Sequence, residues 1–83
     1  MSINNKKLVQ VFSSALNIDE HLVNDGLMYN SIEQWDSTAH MTLIAELEDE
    51  FDVMLDTDDI IDMNSVGKSR EILIKYGIGF SID

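Results

Sequence analysis

The sequence contains no cysteine and no proline, and only four of its 83 residues are glycine. Without cysteine the chain has no disulfide framework, no zinc–thiolate site and no thiol nucleophile. The few glycines leave no Gly-rich phosphate-binding loop. No apolar run approaches about 18 residues, and the N-terminus lacks a cationic stretch followed by an apolar segment. We therefore expect one soluble cytoplasmic domain over residues 1–83, without membrane insertion and stabilised by packing alone.

Cations are scarce as well. Five Lys and Arg residues stand against sixteen Asp and Glu residues, which gives a formal charge of −11 and a pI near 4.2. All five cations lie near the chain ends, and the stretch from Leu8 to Gly67 holds fourteen of the sixteen carboxylates without a Lys or Arg. Such a surface excludes binding to a nucleic-acid backbone and disfavours anionic lipid. It either serves solubility alone or attracts cationic partners.

The spacing of apolar residues predicts helices and no strands. In the first helix, apolar residues recur at i, i+3, i+4, i+7 and i+8, starting at Leu8. Asn4 or Asn5 is expected to cap its start, and Asn17 follows its last apolar residue. The second helix covers residues 36–51 and places four apolar side chains on one face. The aspartate at its start is expected to act as the N-cap, because its carboxylate accepts from first-turn N–H groups.

Two shorter helices are predicted in the C-terminal part of the chain. The third covers Thr57–Asp62 and is expected to bury both of its isoleucines. The fourth begins at Asn64 or Ser65 and ends near Tyr76. Gly77 then occupies the position that favours a left-handed backbone after a helix.

About nineteen residues, from Asn17 to Trp35, separate the first two helices. A loop of this length is uncommon in a compact domain unless it packs or has a function. A helical turn from Asp19 to Val23, capped by Asp19, and a bend at Gly26 are expected to order it. Six apolar residues are expected to cover the core, namely Ile18, Leu22, Val23, Leu27, Met28 and Ile32.

These elements together predict the fold class. Three main helices, one short helix and a long ordered loop between helices 1 and 2 are typical of an all-α protein, here a small up-and-down four-helix bundle. The core of this single domain is expected to cover about residues 4–76, and residues 77–83 form a C-terminal tail.

Metal chemistry has little support in the sequence. The stretch from Asp56 begins like a calcium-binding loop, but Ile61 stands at the sixth position, where glycine is required, and Gly67 stands at the twelfth, where glutamate is required. Weak cation binding stays open for four neighbouring carboxylates, those of Glu48, Asp49, Glu50 and Asp52. No metal site is predicted.

Ser37 and His40 are a nucleophile and a base close together in the sequence. Three residues apart on a helix, they could approach each other. His40, however, falls in the middle of the apolar arc of the second helix, which indicates a packed histidine. No oxyanion hole can be named, and His21 in the loop has no identifiable partner. A hydrolase is therefore a distant alternative, and no catalytic residue is predicted.

Trp35, Asp36 and Ser37 form the junction between the loop and the second helix. Ser37 lies in the first turn, where free N–H groups and the helix dipole stabilise anions. A phosphate ester on Ser37 would fit this position. The simpler interpretation is that Asp36 and Ser37 only cap the helix.

The residues around this junction resemble a known family. They are Gln34-Trp35-Asp36-Ser37, a helix with Leu43 and Leu47 that ends in Glu48-Asp49-Glu50-Phe51, a short helix flanked by Leu55 and Met63, and Ser65-Val66. Their order is similar to the acyl carrier protein family, whose pattern is Asp-Ser-Leu, an acidic second helix, a short third helix and Thr-Val at the start of the fourth. The resemblance covers roughly residues 4–76.

The resemblance implies that Ser37, next to Asp36, receives a 4′-phosphopantetheine arm from coenzyme A through a separate phosphopantetheinyl transferase. The thiol of the arm would hold an acyl or aminoacyl group as a thioester, so the chain would be a monomeric carrier without catalytic activity of its own. Its other partners would be an acyl- or aminoacyl-activating ligase and acyltransferases or synthases with basic docking surfaces. The expected docking residues are Asp36, Thr42, Ala45, Glu48 and Asp49.

Some positions depart from the family pattern. Thr38 replaces the usual Leu or Met after the serine, and Ala39 and Thr42 replace common acidic residues. Trp35 and His40-Met41 are more typical of stand-alone carriers that serve surface-glycan, secondary-metabolite or amino-acid-activating enzymes than of carriers in fatty acid biosynthesis. The alternative of a different class is an unmodified acidic domain that binds a basic protein surface.

Overall fold

The computed structural model describes residues 3–80. They form four α-helices and one 3-10 turn, in the order α1 Ile3–Leu16, the 3-10 turn Glu20–Leu22, α2 Ser37–Phe51, α3 Thr57–Asp62 and α4 Val66–Lys75. No strand occurs within residues 3–80, where the extended backbone makes an isolated bridge between Met28 and Ser65. The prediction of an all-helical fold is confirmed. None of the described helices is long and apolar enough to cross a membrane.

Local signals explain where α2 and α4 begin and where α4 ends. The Asp36 carboxylate accepts from the Ala39 N–H at 2.8 Å, and the Ser65 hydroxyl accepts from the Lys68 N–H at 3.0 Å. Both side chains thereby satisfy N–H groups that have no acceptor inside the helix. Gly77, with φ of 92°, follows the last turn of α4 in the left-handed region. These predicted boundaries are confirmed to within about one residue, with Asp36 and Ser65 as the N-caps.

The predicted cap of α1 is wrong. The helix begins at Ile3, so Asn4 and Asn5 lie within its first turn. The Asn4 amide donates to the Gly79 carbonyl at 2.6 Å, and the Asn5 side-chain oxygen accepts from the Arg70 Nε–H at 3.0 Å. Both side chains bind distant segments of the chain, which a reading of local capping patterns does not detect.

The core lies between α1, α2 and α4. Leu8 and Phe12 of α1, Leu43 and Leu47 of α2, and Leu73 of α4 are fully buried. This is the face that the apolar spacing predicts for each helix. Residues 77–80 of the predicted tail continue along the core, where two of their side chains are partly buried, and residues 81–83 lie outside the described part of the chain.

The segment between α1 and α2 is only partly packed as predicted. Val23 and Leu27 are buried, as is Ile18, whereas Leu22 and Met28 are about half exposed, so their predicted burial is wrong. Leu22 ends the 3-10 turn and Met28 lies in extended backbone, and each adjoins a buried residue, Val23 or Leu27, that points to a different side. Only one residue of each adjacent pair therefore reaches the core.

Backbone hydrogen bonds join this segment to the start of α4. The Val66 N–H donates to the Leu27 carbonyl at 3.1 Å, and the Gly67 N–H donates to the Asp25 carbonyl at 3.4 Å. These two donors belong to the first turn of α4 and have no intrahelical acceptor. The loop thus supplies carbonyls that cap α4, and the position of each segment depends on the other.

The residues that α3 buries differ from the predicted ones. Ile60 is partly buried, but Ile61 is 72% exposed, while Asp59 is 5% exposed. Successive residues of a helix are rotated by about 100°, so a face that directs residues 59 and 60 inward directs residue 61 to solvent. The expected burial of Ile61 is therefore wrong, and a carboxylate takes that place in the interior.

Candidate functional site

Ser37 is the first residue of α2, and its side chain is exposed. The preceding residue, Asp36, has an extended backbone, and its carboxylate turns back onto the Ala39 N–H. Within the described chain the Ser37 hydroxyl has no hydrogen-bond partner. The serine is therefore an accessible hydroxyl next to the positive end of a fifteen-residue helix.

Trp35 anchors the chain just before this serine. Its side chain is fully buried and packs edge-on against Phe12 of α1, with ring centroids 5.4 Å apart. Tyr29, from the loop, packs edge-on against the same indole at 6.2 Å. The junction thus places an exposed serine two residues after a buried aromatic ring, which limits how far the serine can move.

His40 lies one turn into α2, and both of its ring nitrogens have partners. Nδ1 accepts from the Trp35 indole N–H at 3.0 Å, and Nε2 lies 2.9 Å from the Ile60 carbonyl of α3. An indole nitrogen only donates and a carbonyl only accepts, so the neutral ring carries its proton on Nε2. Neither nitrogen is left to receive the proton of Ser37. The interpretation of His40 as a packed residue is confirmed.

The predicted docking residues differ in their surroundings. Asp36, Thr42, Ala45 and Asp49 are exposed. Glu48 is partly buried, and its Oε2 accepts from the Leu55 N–H at 2.9 Å in the connection between α2 and α3. Glu48 therefore also holds the chain after α2, a role that no local sequence pattern indicates.

The acidic run near the end of α2 does not form a metal site. No group of three His, Cys, Asp or Glu side chains within residues 3–80 is arranged to hold a metal ion. Glu48 is occupied by a backbone N–H, and Asp52 ends the helix in the left-handed conformation. The four carboxylates at 48, 49, 50 and 52 therefore do not converge on one cation.

Asp59 of α3 makes a second carboxylate contact. Its two oxygens accept from the Lys75 ammonium and from the Tyr76 hydroxyl, both at 2.5 Å. The hydrogen bond from Lys75, followed by that from Tyr76, lowers the pKa of Asp59, and the bond to Asp59 raises the pKa of Lys75. These contacts attach α3 to the end of α4. Sequence reasoning missed them because the partners are sixteen and seventeen residues apart.

His21 has a partner that sequence reasoning did not find. Its Nδ1 lies 2.8 Å from an oxygen of Asp19, the residue that also caps the 3-10 turn. The hydrogen bond raises the pKa of His21 and lowers that of Asp19. Both side chains are exposed, so water screens the pair and its contribution to stability is small.

Comparisons with known proteins found no match to this chain among family models, curated proteins or solved structures.

Proposed function

We propose that this chain is an acyl carrier protein of the stand-alone type, with Ser37 as the attachment site of 4′-phosphopantetheine. The observation that carries the proposal is an exposed serine with a free hydroxyl at the first position of α2, directly after a capping aspartate. The order of helices supports it, because a short α3 and an α4 that begins at Ser65-Val66 follow the acidic α2. The up-and-down bundle and the long ordered loop are part of the same proposal.

The residues at the start of α2 fit a phosphate ester. The Ser37 hydroxyl is accessible, and the first-turn N–H groups of Ser37 and Thr38 have no acceptor within the helix. Such N–H groups and the helix dipole stabilise a negative charge. The third N–H group of this turn, that of Ala39, already donates to the Asp36 carboxylate.

The proposed attachment is a phosphoryl-group transfer to this chain. The Ser37 Oγ forms an ester bond to the phosphorus of the phosphopantetheine group of coenzyme A, while the pyrophosphate bond breaks and adenosine 3′,5′-bisphosphate leaves. The hydroxyl proton passes to a base of the transferase, because His40 has no free nitrogen. When bound, the arm supplies a thiol that holds an acyl or aminoacyl group as a thioester.

The partners in this proposal are proteins with basic surfaces. They are a phosphopantetheinyl transferase, a ligase that activates the acyl or aminoacyl group, and an acyltransferase or synthase of a biosynthetic pathway. We assign their docking to Asp36, Thr42, Ala45, Glu48 and Asp49. A monomeric, cytoplasmic carrier belongs to the same proposal.

Intact-mass spectrometry tests the attachment site. Incubation with coenzyme A, magnesium and a broad-specificity transferase should add one phosphopantetheine to the wild type. Ser37→Ala should gain no mass and stay folded, because Asp36 still caps the helix. Ser14→Ala, at an exposed serine of α1, is the matched control and should be modified at the wild-type rate. Modification of Ser37→Ala would show that the site is wrong.

An unmodified acidic interaction domain is the second candidate. It is favoured by the stretch from Leu8 to Gly67, which has fourteen carboxylates and no Lys or Arg. A wild type that gains no mass with several transferases, but binds a basic protein surface in a salt-dependent way, would support this candidate over the carrier.

A further inference from the structure

Two rings bracket the serine of the proposed attachment site. With Asp36 as the N-cap of α2, Trp35 is the residue before the cap and His40 is the fourth residue of the helix. Side chains at these two positions often pack together and fix the direction in which the chain enters a helix. Here the ring planes lie within 23° of each other, with centroids 6.1 Å apart. The hydrogen bond from the indole to His40 Nδ1 adds a polar contact to the packing.

His40 also binds a carbonyl that α3 leaves without a partner. The Ile60 carbonyl is in the last turn of α3, and its regular donor would be the N–H of Asn64. That N–H donates instead to the Asp62 carbonyl at 2.8 Å. The Nε2–H of His40 satisfies the Ile60 carbonyl. Since a six-residue helix is unstable by itself, this bond contributes to the position of α3 beside the start of α2.

The loop holds the histidine from a third direction. The Tyr29 ring lies edge-on to the His40 ring, with centroids 5.3 Å apart. The Tyr29 backbone N–H donates to the Asn64 carbonyl at 2.9 Å, in the connection between α3 and α4. On the loop side, the titratable group that packs against His40 is Tyr29. On the α3 side, His40 contacts the neutral carbonyl of Ile60. His40 therefore joins three segments: the loop, α2 and α3.

We propose that His40 is the positioning residue of the attachment site. In its neutral Nε2–H form, His40 links Trp35 to Ile60. This link holds Ser37 and α3 in one relative position for the transferase. This inference rests on the proposed function, and it deepens that function by assigning a role to a residue that does not touch the reacting hydroxyl. In this role, one side chain must accept from the Trp35 indole N–H and at the same time donate to the Ile60 carbonyl.

Substitutions that keep or remove these two functions test the proposal. His40→Gln keeps an amide oxygen as acceptor and an amide N–H as donor, whereas His40→Leu keeps apolar volume and loses both. Trp35→Phe keeps an aromatic ring and removes the donor. His21→Gln is the matched control, because it changes the other histidine of the chain, which is exposed and bonded to Asp19.

The two readouts are the transferase kcat/KM for Ser37 and the indole N–H resonance of Trp35, which is the only tryptophan in the sequence. His40→Leu and Trp35→Phe should each lower kcat/KM about tenfold or more at a temperature where both are folded, since small displacements of a reacting group are costly. In His40→Leu the indole N–H should exchange faster with solvent. His40→Gln should stay within about threefold of the wild type, and His21→Gln should match it in both readouts.

Other results would overturn the proposal. A wild-type rate for His40→Leu would show that His40 does not position Ser37, and equal losses in the Gln and Leu variants would show that ring packing, and not the two hydrogen bonds, matters. Failure of the carrier function itself looks different: no variant, the wild type included, gains mass with any transferase. That result would overturn both proposals, whereas the first two results would leave the attachment site at Ser37 intact.

Discussion

At the scale of single residues, Glu48 combines a predicted docking position with a structural contact. Its side chain leaves the last turn of α2 and accepts from the Leu55 N–H. Asp49, the next residue, is exposed and has the same formal charge. The two carboxylates therefore allow the cost of a lost hydrogen bond to be separated from the effect of removing one negative charge.

We predict that Glu48→Ala lowers the free energy of unfolding by about 1 kcal/mol, because the partly buried Leu55 N–H loses its acceptor. Glu48→Gln keeps an amide oxygen and should cost less. Asp49→Ala, the charge-matched control, should stay within about 0.5 kcal/mol of the wild type. Urea denaturation measures all three. Equal values for Glu48→Ala and Asp49→Ala would show that the contact adds nothing to stability.

At the scale of secondary structure, α3 depends on its neighbours. It has six residues, and its N-cap, Asp56, makes no side-chain capping bond. The helix is held by the buried Asp59 carboxylate, through Lys75 and Tyr76, and by the Ile60 carbonyl, through His40. Because so few polar contacts hold this helix in position, we expect α3 to unfold locally more often when one of them is removed.

The Asp59 contact predicts a pH dependence. The folded-state pKa of Asp59 is lowered, so the stability it contributes is present above the ordinary value of 3.8 and is lost as the pH falls through the lowered value. In Asp59→Asn, amide hydrogen exchange should accelerate in α3 at neutral pH, and the fall in stability below pH 3.8 should be shallower than in the wild type. Asp58→Asn, an exposed neighbour in the same helix, is the control.

Two outcomes would contradict this prediction. One is the same exchange pattern for Asp59→Asn and Asp58→Asn, which would mean that charge alone governs α3. The other is an acid unfolding profile for Asp59→Asn that coincides with that of the wild type.

At the scale of the whole molecule, negative charge is poorly compensated. Within residues 3–80, Arg70 pairs with Asp25 and Lys75 pairs with Asp59. These pairs involve two of the fourteen carboxylates between residues 8 and 67, so most carboxylates of that stretch have no Lys or Arg partner among the described residues. A field of one sign raises the encounter rate with cationic partners and weakens over about 8 Å at physiological salt.

This field allows a test of the docking surface that avoids Glu48. The double variant Thr42→Lys and Asp49→Lys changes two exposed predicted docking residues of α2. It should reduce the second-order rate constant for modification of Ser37 at low salt, and the loss should shrink as salt is raised. Each exposed charge contributes only about 0.2–1 kcal/mol, so the effect should be graded and not all-or-none.

The control for net charge is Gln10→Lys with Glu20→Lys, at exposed positions on α1 and the 3-10 turn. It alters the formal charge by the same amount as the α2 double variant. Stopped-flow or quenched-flow rates across a salt series compare the two. Equal losses would mean that only the total charge matters and that the docking residues are assigned wrongly.

The helices and most of their ends could be predicted from the sequence, because they depend on residues close together in the chain. The apolar spacing from Leu8 to Leu16 places α1 on the core, and the carboxylate of Asp36 and the hydroxyl of Ser65 start α2 and α4 within three residues of themselves. The exposed position of Ser37 after a capping aspartate follows from the same local logic. That part of the candidate site is therefore encoded by neighbouring residues alone.

The tertiary structure alone decided which polar side chains work as contacts between segments. Asn4 binds a carbonyl 75 residues away, His40 binds one 20 residues away, and Asp59 enters the interior because Lys75 and Tyr76 approach it. Periodicity and capping patterns describe how a residue relates to its own turn of helix. These patterns give no information about a donor that the packing of another helix brings near. The sequence by itself thus determined the four helices and an exposed Ser37, and only the packing of those helices decided that His40 would join Trp35 to Ile60 beside that serine.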